Sequence, residues 1–151
     1  MERAEWGALH ARLRERVAAD QLPDLLVTLE HPHLHGRLFG CAILRDADAD
    51  HAQRVAEAVV AALAALGVPR PHVELAAIWV RDRRIGSLAG HGRFEIGVDD
   101  LPSSGRTSVR REAGGQVGLG DIRRALTHSF ARAHAREDLE VAPEWLGHPA
   151  R

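Results

Sequence analysis

The chain has 151 residues, of which 45% are hydrophobic, enough for one buried core but short for two comfortable domains. Its formal net charge is −1 and its isoelectric point about 6.8, so the overall charge favours neither nucleic acid nor an anionic membrane as a partner. Its 20 permanently basic residues are all arginines, so no lysine amine is available for Schiff-base or general-base chemistry.

The cysteine content and the apolar runs of the sequence indicate the cellular compartment of the protein. Cys41 is the only cysteine, which excludes an intramolecular disulfide and favours a reducing compartment. The chain does not start with a basic segment followed by an apolar one, and it has no apolar run of about 18 residues, the length needed to span a membrane. We therefore expect a soluble, cytoplasmic protein.

The first half of the chain predicts two helices separated by two short strands. Apolar residues recur at spacings of three and four over residues 3–20, which is typical of an amphipathic helix. Residues 25–29 and 38–44 are apolar runs of strand length. A long helix is predicted from the acidic run 46–50 to Gly67, a residue that commonly follows the end of a helix.

A β-hairpin is predicted in the middle of the chain. Its first strand runs from Val73 to Val80, where residues alternate and then become uniformly apolar. Arg81, Asp82 and Arg83 form the charged turn, and residues 85–89 form the second strand. Alternation of apolar and other residues predicts a further half-buried strand over residues 94–98.

The last third is predicted to contain little regular structure before a final helix. Residues 99–105 form a turn-rich loop, residues 110–118 are polar and rich in glycine, and residues 121–136 carry the periodicity of a helix. Together the elements predict one α+β domain over residues 1–151, in which helices pack against a mixed β-sheet.

Several sequence motifs occur in the order found in one enzyme family. They are LPDLLVTLEHP (22–32), HGRLFGCAIL (35–44), WVRDRRIGSLAG (79–90) and HGRF (91–94). In this order they resemble the octanoyltransferases of lipoate assembly, members of the lipoate and biotin protein ligase superfamily. The resemblance implies the ligase catalytic-domain fold at reduced size, transfer of octanoyl from acyl carrier protein to a lipoyl-domain protein, and no cofactor. It also implies an octanoyl or lipoyl chain as the bound group.

The chain departs from that family at its reactive residues. The catalytic lysine of the family's hairpin is replaced by Arg84, and the loop of its nucleophilic cysteine by Pro102-Ser103-Ser104-Gly105. A long insert that builds the family's acyl pocket is missing before the HG motif. We therefore expect a catalytically degenerate member; if active, it would use Ser104 as nucleophile, His91 or His35 as base and Arg84 as electrostatic stabiliser.

The resemblance also implies a set of substrate-binding residues. They lie in the HG motifs and in the hairpin: His35, Gly36, Ile85, Gly86, Ser87 and Gly92. Cys41 lies within a predicted strand, where a cysteine is usually a small core residue and not a nucleophile. A non-catalytic module that binds lipoyl domains, acyl carrier protein or an acyl chain is the first alternative function.

A metal site is the second alternative. His31, His33 and His35 alternate along the chain, and alternate residues of an extended strand share one face. Three imidazoles on one face could bind a transition metal ion. The competing explanation is an exposed, histidine-rich loop without a ligand.

Overall fold

The computed structural model describes residues 3–30, 36–99, 105–135 and 140–141. The helices are α1 (Arg3–Ala18), α2 (His51–Ala65), α3 (Val109–Ala113) and α4 (Leu119–Ala133). The strands are β1 (Leu25–Glu30), β2 (Arg37–Ile43), β3 (His72–Glu74), β4 (Ala77–Val80), β5 (Arg83–Ala89), β6 (Arg93–Gly97) and β7 (Glu140–Val141). Among the described residues no helix is long and apolar enough to cross a membrane.

The strands form one mixed sheet, which confirms the predicted α+β class. The order is β3-β4-β5-β6-β2-β1-β7, and every neighbouring pair is antiparallel except β1 and β7, which are parallel. Strands β4 and β5 form the predicted central hairpin, with Val80 opposite Arg83 across its turn. Because β2 and β6 are antiparallel, the glycines that precede them lie at opposite ends of the pair: Gly36 is beside Asp99, and Gly92 is beside Ala42.

The two faces of the sheet are covered differently. On one face α2 and α4 bury an apolar core that includes Leu38, Ile78, Phe94, Ile96 and Phe130; we call it the helix-covered face. On the other face α1 packs a second apolar cluster only onto β1 and β2. The buried members of this second cluster come only from α1, β1 and β2, so the cluster leaves β4, β5 and β6 uncovered on this face. We call that uncovered area the open face.

One predicted strand is interrupted in the structure. The expected strand from Val73 to Val80 is interrupted at Leu75 and Ala76, whose φ angles of 53° and 59° form a tight turn between β3 and β4. The side chain of Leu75 is consequently 94% exposed. Neither residue is glycine, asparagine or aspartate, the usual residues of such turns, so the sequence pattern gave no sign of it.

The polar segment 110–118 is also not wholly irregular, because it contains most of α3. The hydroxyl of Ser108 accepts a hydrogen bond from the backbone N–H of Arg111, which caps this helix. With only five residues the helix is too short to show an apolar period. The other predicted elements are present, with ends that differ by a few residues.

Candidate functional site

A cavity of about 280 Å³ lies on the open face above β2, β5 and β6. Strand pairing places Phe39, Glu95 and Ser87 in one row across its floor. Trp6 of α1 forms one wall, with its ring 6.5 Å from that of Phe39. Ala89, Arg93 and Phe94 complete the lining. The cavity therefore combines aromatic walls with a polar floor, the mixture typical of small-molecule sites.

The polar floor is built around an ion pair between Arg37 and Glu95. The two residues belong to the adjacent strands β2 and β6, and Arg37 donates through Nη1 to Glu95 Oε1. Their side chains are only 9% and 15% exposed. Two charges removed from water to this extent must compensate each other, so Glu95 adds no net charge to the cavity. Arg93 is the other charged residue in the lining.

Arg84 lies on the open face at the start of β5, beyond the end of the cavity. Its partner in β4 is Trp79, which alternates with Ile78 and Val80 of the helix-covered core. Ser87 is three residues further along β5, which corresponds to about 10 Å. The predicted electrostatic residue and the cavity are thus neighbours on one surface.

A segment formed by residues 105–107 pairs with Arg84 where β6 has already ended. The backbone N–H of Arg84 donates to the carbonyl of Gly105 at 2.9 Å, and the N–H of Thr107 donates to the carbonyl of Arg84 at 3.0 Å. Gly97 permits this approach, because a Cβ there would lie 2.8 Å from the carbonyl oxygen of Thr107. Ser104, the predicted nucleophile, precedes Gly105 in the chain and lies outside the described residues.

His91 is not part of this site. It forms the turn after β5 with a φ angle of 61°, and it is exposed. Seven residues separate it from Arg84, so the length of the strand holds the two about 20 Å apart. The structure therefore does not bring together the predicted base and the predicted electrostatic residue. His91 instead borders a different cavity of about 540 Å³ between α1 and residues 42–47.

His10 connects α1 to the turn that contains His91. Its Nε2 lies 3.2 Å from the carbonyl oxygen of His91, to which it donates. Burial, with a smaller effect of the nearby Arg93 and Arg14, lowers the pKa of His10 to about 4 against the opposing effect of the backbone hydrogen bond. His10 is therefore neutral near pH 7, in the tautomer that carries its proton on Nε2.

Of the predicted substrate-binding residues that the structure describes, only Ser87 lines the cavity. Ile85 is 2% exposed and belongs to the helix-covered core. A Cβ on Gly86 would lie 2.3 Å from the carbonyl of Glu95, and one on Gly92 would lie 2.5 Å from that of Ala42. These two glycines allow close backbone approach and do not face a ligand.

The remaining sequence predictions concern the HG motif and Cys41. Gly36 has a φ angle of +88°, and its carbonyl accepts hydrogen bonds from the N–H groups of Val98 and Asp99. His35 lies outside the described residues. Cys41 is fully buried beneath α1, and burial raises the pKa of its thiol to about 12. It is a core residue, as expected.

The histidines of the predicted metal site, His31, His33 and His35, also lie outside the described residues. In the part of the chain that the structure describes, no three or more histidine, cysteine, aspartate or glutamate side chains are grouped so as to hold a metal ion.

Of the residues that line the cavity, only Ser87 was predicted from the sequence. Trp6 was assigned to the buried stripe of a helix, and Phe39 to an apolar strand, so neither suggested a ligand. Arg37 and Glu95 did give a signal, because each is a charged residue next to buried apolar residues of its strand. Their pairing depends on the β2–β6 register, which cannot be read from either strand alone.

Solved structures with similar architecture come from lipoate-ligase and biotin-ligase-like proteins. A Thermoplasma acidophilum protein assigned as a lipoate protein ligase, with bound lipoic acid, aligns with a TM-score of 0.54 and 18% identity. The bipartite lipoate protein ligase studied with its E2 lipoyl domain, from the same organism, gives 0.52 and 17%. A biotin protein ligase-like protein of unknown function from Silicibacter gives 0.56 and 14%.

These similarities show the fold. The alignments cover 74% of this chain for the two Thermoplasma structures and 84% for the Silicibacter structure. The chain spans 59%, 58% and 66%, respectively, of the lengths of those proteins. Comparison of the sequence with family models and with curated proteins finds no match. The chain therefore has the fold of the lipoate and biotin protein ligase superfamily.

Proposed function

We propose that this protein binds an acyl chain of the octanoyl or lipoyl type on the open face, as a catalytically degenerate relative of the lipoate-assembly acyltransferases. The observation that carries the proposal is the 280 Å³ cavity between Trp6, Phe39 and Ser87. Its aromatic walls favour an apolar chain, and the charge of Glu95 in the lining is compensated by Arg37. Arg93 in the same lining offers a cation to the carboxyl end of a free acid.

The chemistry of the described residues favours binding over catalysis. The only thiol, Cys41, lies beneath α1 and stays protonated because burial raises its pKa to about 12. Arg84 carries a guanidinium, which donates hydrogen bonds and has no acceptor, so it can stabilise an oxyanion but does not supply a general base. His91 lies at the far end of β5 from Arg84. The described residues therefore supply a stabilising charge without a nucleophile and base beside it.

Residual octanoyl transfer through Ser104 is the second candidate function. It is supported by the hydrogen bond between the Arg84 N–H and Gly105, the residue that follows Ser104 in the chain. Acyl carrier protein would be the donor and a lipoyl-domain protein the acceptor, as in the family that the sequence resembles. In the binding proposal, the protein binds these same partners, or the acyl chain alone, and transfers no octanoyl group.

Calorimetric titration with octanoate and with lipoate tests the binding proposal. We expect saturable binding that Ser87→Leu abolishes, because the larger side chain fills the cavity floor. Gln21→Leu adds the same side chain at an exposed position outside the cavity and should leave the affinity unchanged. Equal affinity of both variants for either acid would contradict placement of the chain in this cavity.

Incubation with octanoyl-acyl carrier protein and an apo lipoyl domain separates binding from transfer. Because the chain contains no lysine, octanoylation of a lysine detected by mass spectrometry can only have occurred on the carrier or the lipoyl domain. We expect no octanoyl-lipoyl domain. Octanoyl transfer that disappears in Ser104→Ala would instead show that the protein is an octanoyltransferase that depends on Ser104. Transfer that survives in Ser104→Ala would refute Ser104 as the nucleophile.

A further inference from the structure

We infer that Arg84 and Arg106 together form a binding site for an oxyanion, a phosphate or carboxylate group, at the end of the open face. The two residues are direct partners in a parallel bridge. Paired residues of adjacent strands project from the same face, and adjacent backbones are about 4.8 Å apart. The two arginine side chains therefore leave the sheet side by side, within reach of one shared anion, and both residues are half-buried.

The backbone fixes this juxtaposition. Arg84 uses both its N–H and its carbonyl to bind Gly105 and Thr107, the residues that flank Arg106. Thr107 is itself held, because its hydroxyl donates to Glu112 Oε1 at 3.0 Å. The two arginines therefore cannot separate without breaking hydrogen bonds in the sheet.

The nearby carboxylates are engaged elsewhere. Glu112 pairs with Arg81 at 2.9 Å, and Asp99 pairs with Arg110 at 2.9 Å. Among the described residues, no carboxylate makes an ion pair with Arg84 or with Arg106.

Like charges placed opposite each other across strands are destabilising unless something compensates them. An anion held between two guanidinium forks supplies that compensation, because each fork can donate two parallel hydrogen bonds to one oxyanion. Trp79, on the other side of Arg84, limits the site toward β4. The inferred ligand therefore carries a phosphate or carboxylate group that approaches from the open face.

Titration with inorganic phosphate and, separately, with acetate tests this inference, at an ionic strength kept constant with chloride. Binding is followed by NMR through the arginine Nε–H signals. We expect at least one of the two anions to saturate the site and Arg106→Gln to weaken its binding at least about tenfold. Arg106→Lys keeps the charge without the fork and should retain part of the affinity.

Arg83→Gln is the matched control. Arg83 precedes Arg84 in β5 and is exposed, so its loss changes the net charge equally without removing either member of the pair. It should alter the affinity by less than about twofold. In buffer without phosphate or acetate, Arg106→Gln should also melt no lower than the unmodified protein, because it relieves a repulsion.

Two results would overturn the inference: no saturable binding of either anion, or equal weakening by Arg83→Gln and Arg106→Gln. Saturation by phosphate alone identifies a phosphate-bearing ligand, and saturation by acetate alone identifies a carboxylate. The test does not depend on an acyl chain, so a failure of octanoate to bind leaves it intact.

Discussion

The reactivity of Cys41 distinguishes a core thiol from an acyl-accepting one. Its side chain is fully buried under α1, against Leu13 and Val17. Burial raises the pKa of the thiol from its ordinary value of 9.0 to about 12, which lowers the thiolate fraction near pH 8 by about 1,000-fold. Reaction with iodoacetamide also requires α1 to move away, and that opening slows it further. We therefore expect alkylation to be at least about 1,000-fold slower in the folded than in the urea-unfolded protein.

The assay is intact-mass spectrometry at pH 8, where the single cysteine gives a single adduct. Leu13→Ala should accelerate the alkylation. The cavity that it leaves beneath α1 lowers the free energy of unfolding by about 2–4 kcal/mol, so α1 moves away from Cys41 more easily. Asp46→Ala, an exposed change away from α1, should leave the rate unchanged. A folded-state rate within tenfold of the unfolded rate would refute the burial argument and make a covalent octanoyl-cysteine chemically reasonable.

Three further predictions concern stability. Gly40→Ala should lower the free energy of unfolding by about 1–3 kcal/mol in urea titrations, because its methyl group would lie 2.2 Å from a buried phenylalanine ring. Gly90→Ala is the control and should leave the free energy of unfolding unchanged, because nothing lies within 4 Å of its Cβ. Between pH 6.5 and pH 4 His10 should contribute a fall of up to about 3 kcal/mol in the free energy of unfolding, because the unfolded chain binds a proton that the buried His10 does not. A His10→Gln variant that shows the same fall as the unmodified protein would contradict the assignment. Glu95→Gln should lower the free energy of unfolding by about 3 kcal/mol in thermal unfolding, because it leaves Arg37 buried without its partner. The double variant Arg37→Met with Glu95→Leu should lower it by less. A larger loss in the double variant would refute a buried ion pair.

The sequence predicts most of the fold because its elements carry their own periodicity. The apolar runs of the central hairpin and the stripes of α1, α2 and α4 are local signals, and the structure contains all of them. The turn at Leu75 and Ala76 could not be predicted, because its left-handed conformation depends on the β3–β4 pairing and not on turn-forming residues. The five residues of α3 are held by the cap at Ser108, too short a signal for a periodicity argument.

The candidate site was predictable only in part, for a different reason. Ser87 and Arg84 were identified through the resemblance of the hairpin, and both lie on the open face. His91 was predicted, as an alternative to His35, because a serine nucleophile needs an adjacent base. An extended strand, however, places residues that are seven apart at opposite ends of β5. Trp6 reaches the cavity from the other end of the chain, a contact that only the packing of α1 creates.

The short strand β7 has a practical consequence for shortened versions of the protein. Its two residues pair in parallel with Leu25 and Leu26, and so they occupy one edge of β1. Removal of the chain from Glu140 onward would leave those main-chain donors and acceptors open, beside some of the most apolar side chains of the molecule. Such an edge recruits strands from other molecules, so truncation at this end favours aggregation or strand exchange between copies.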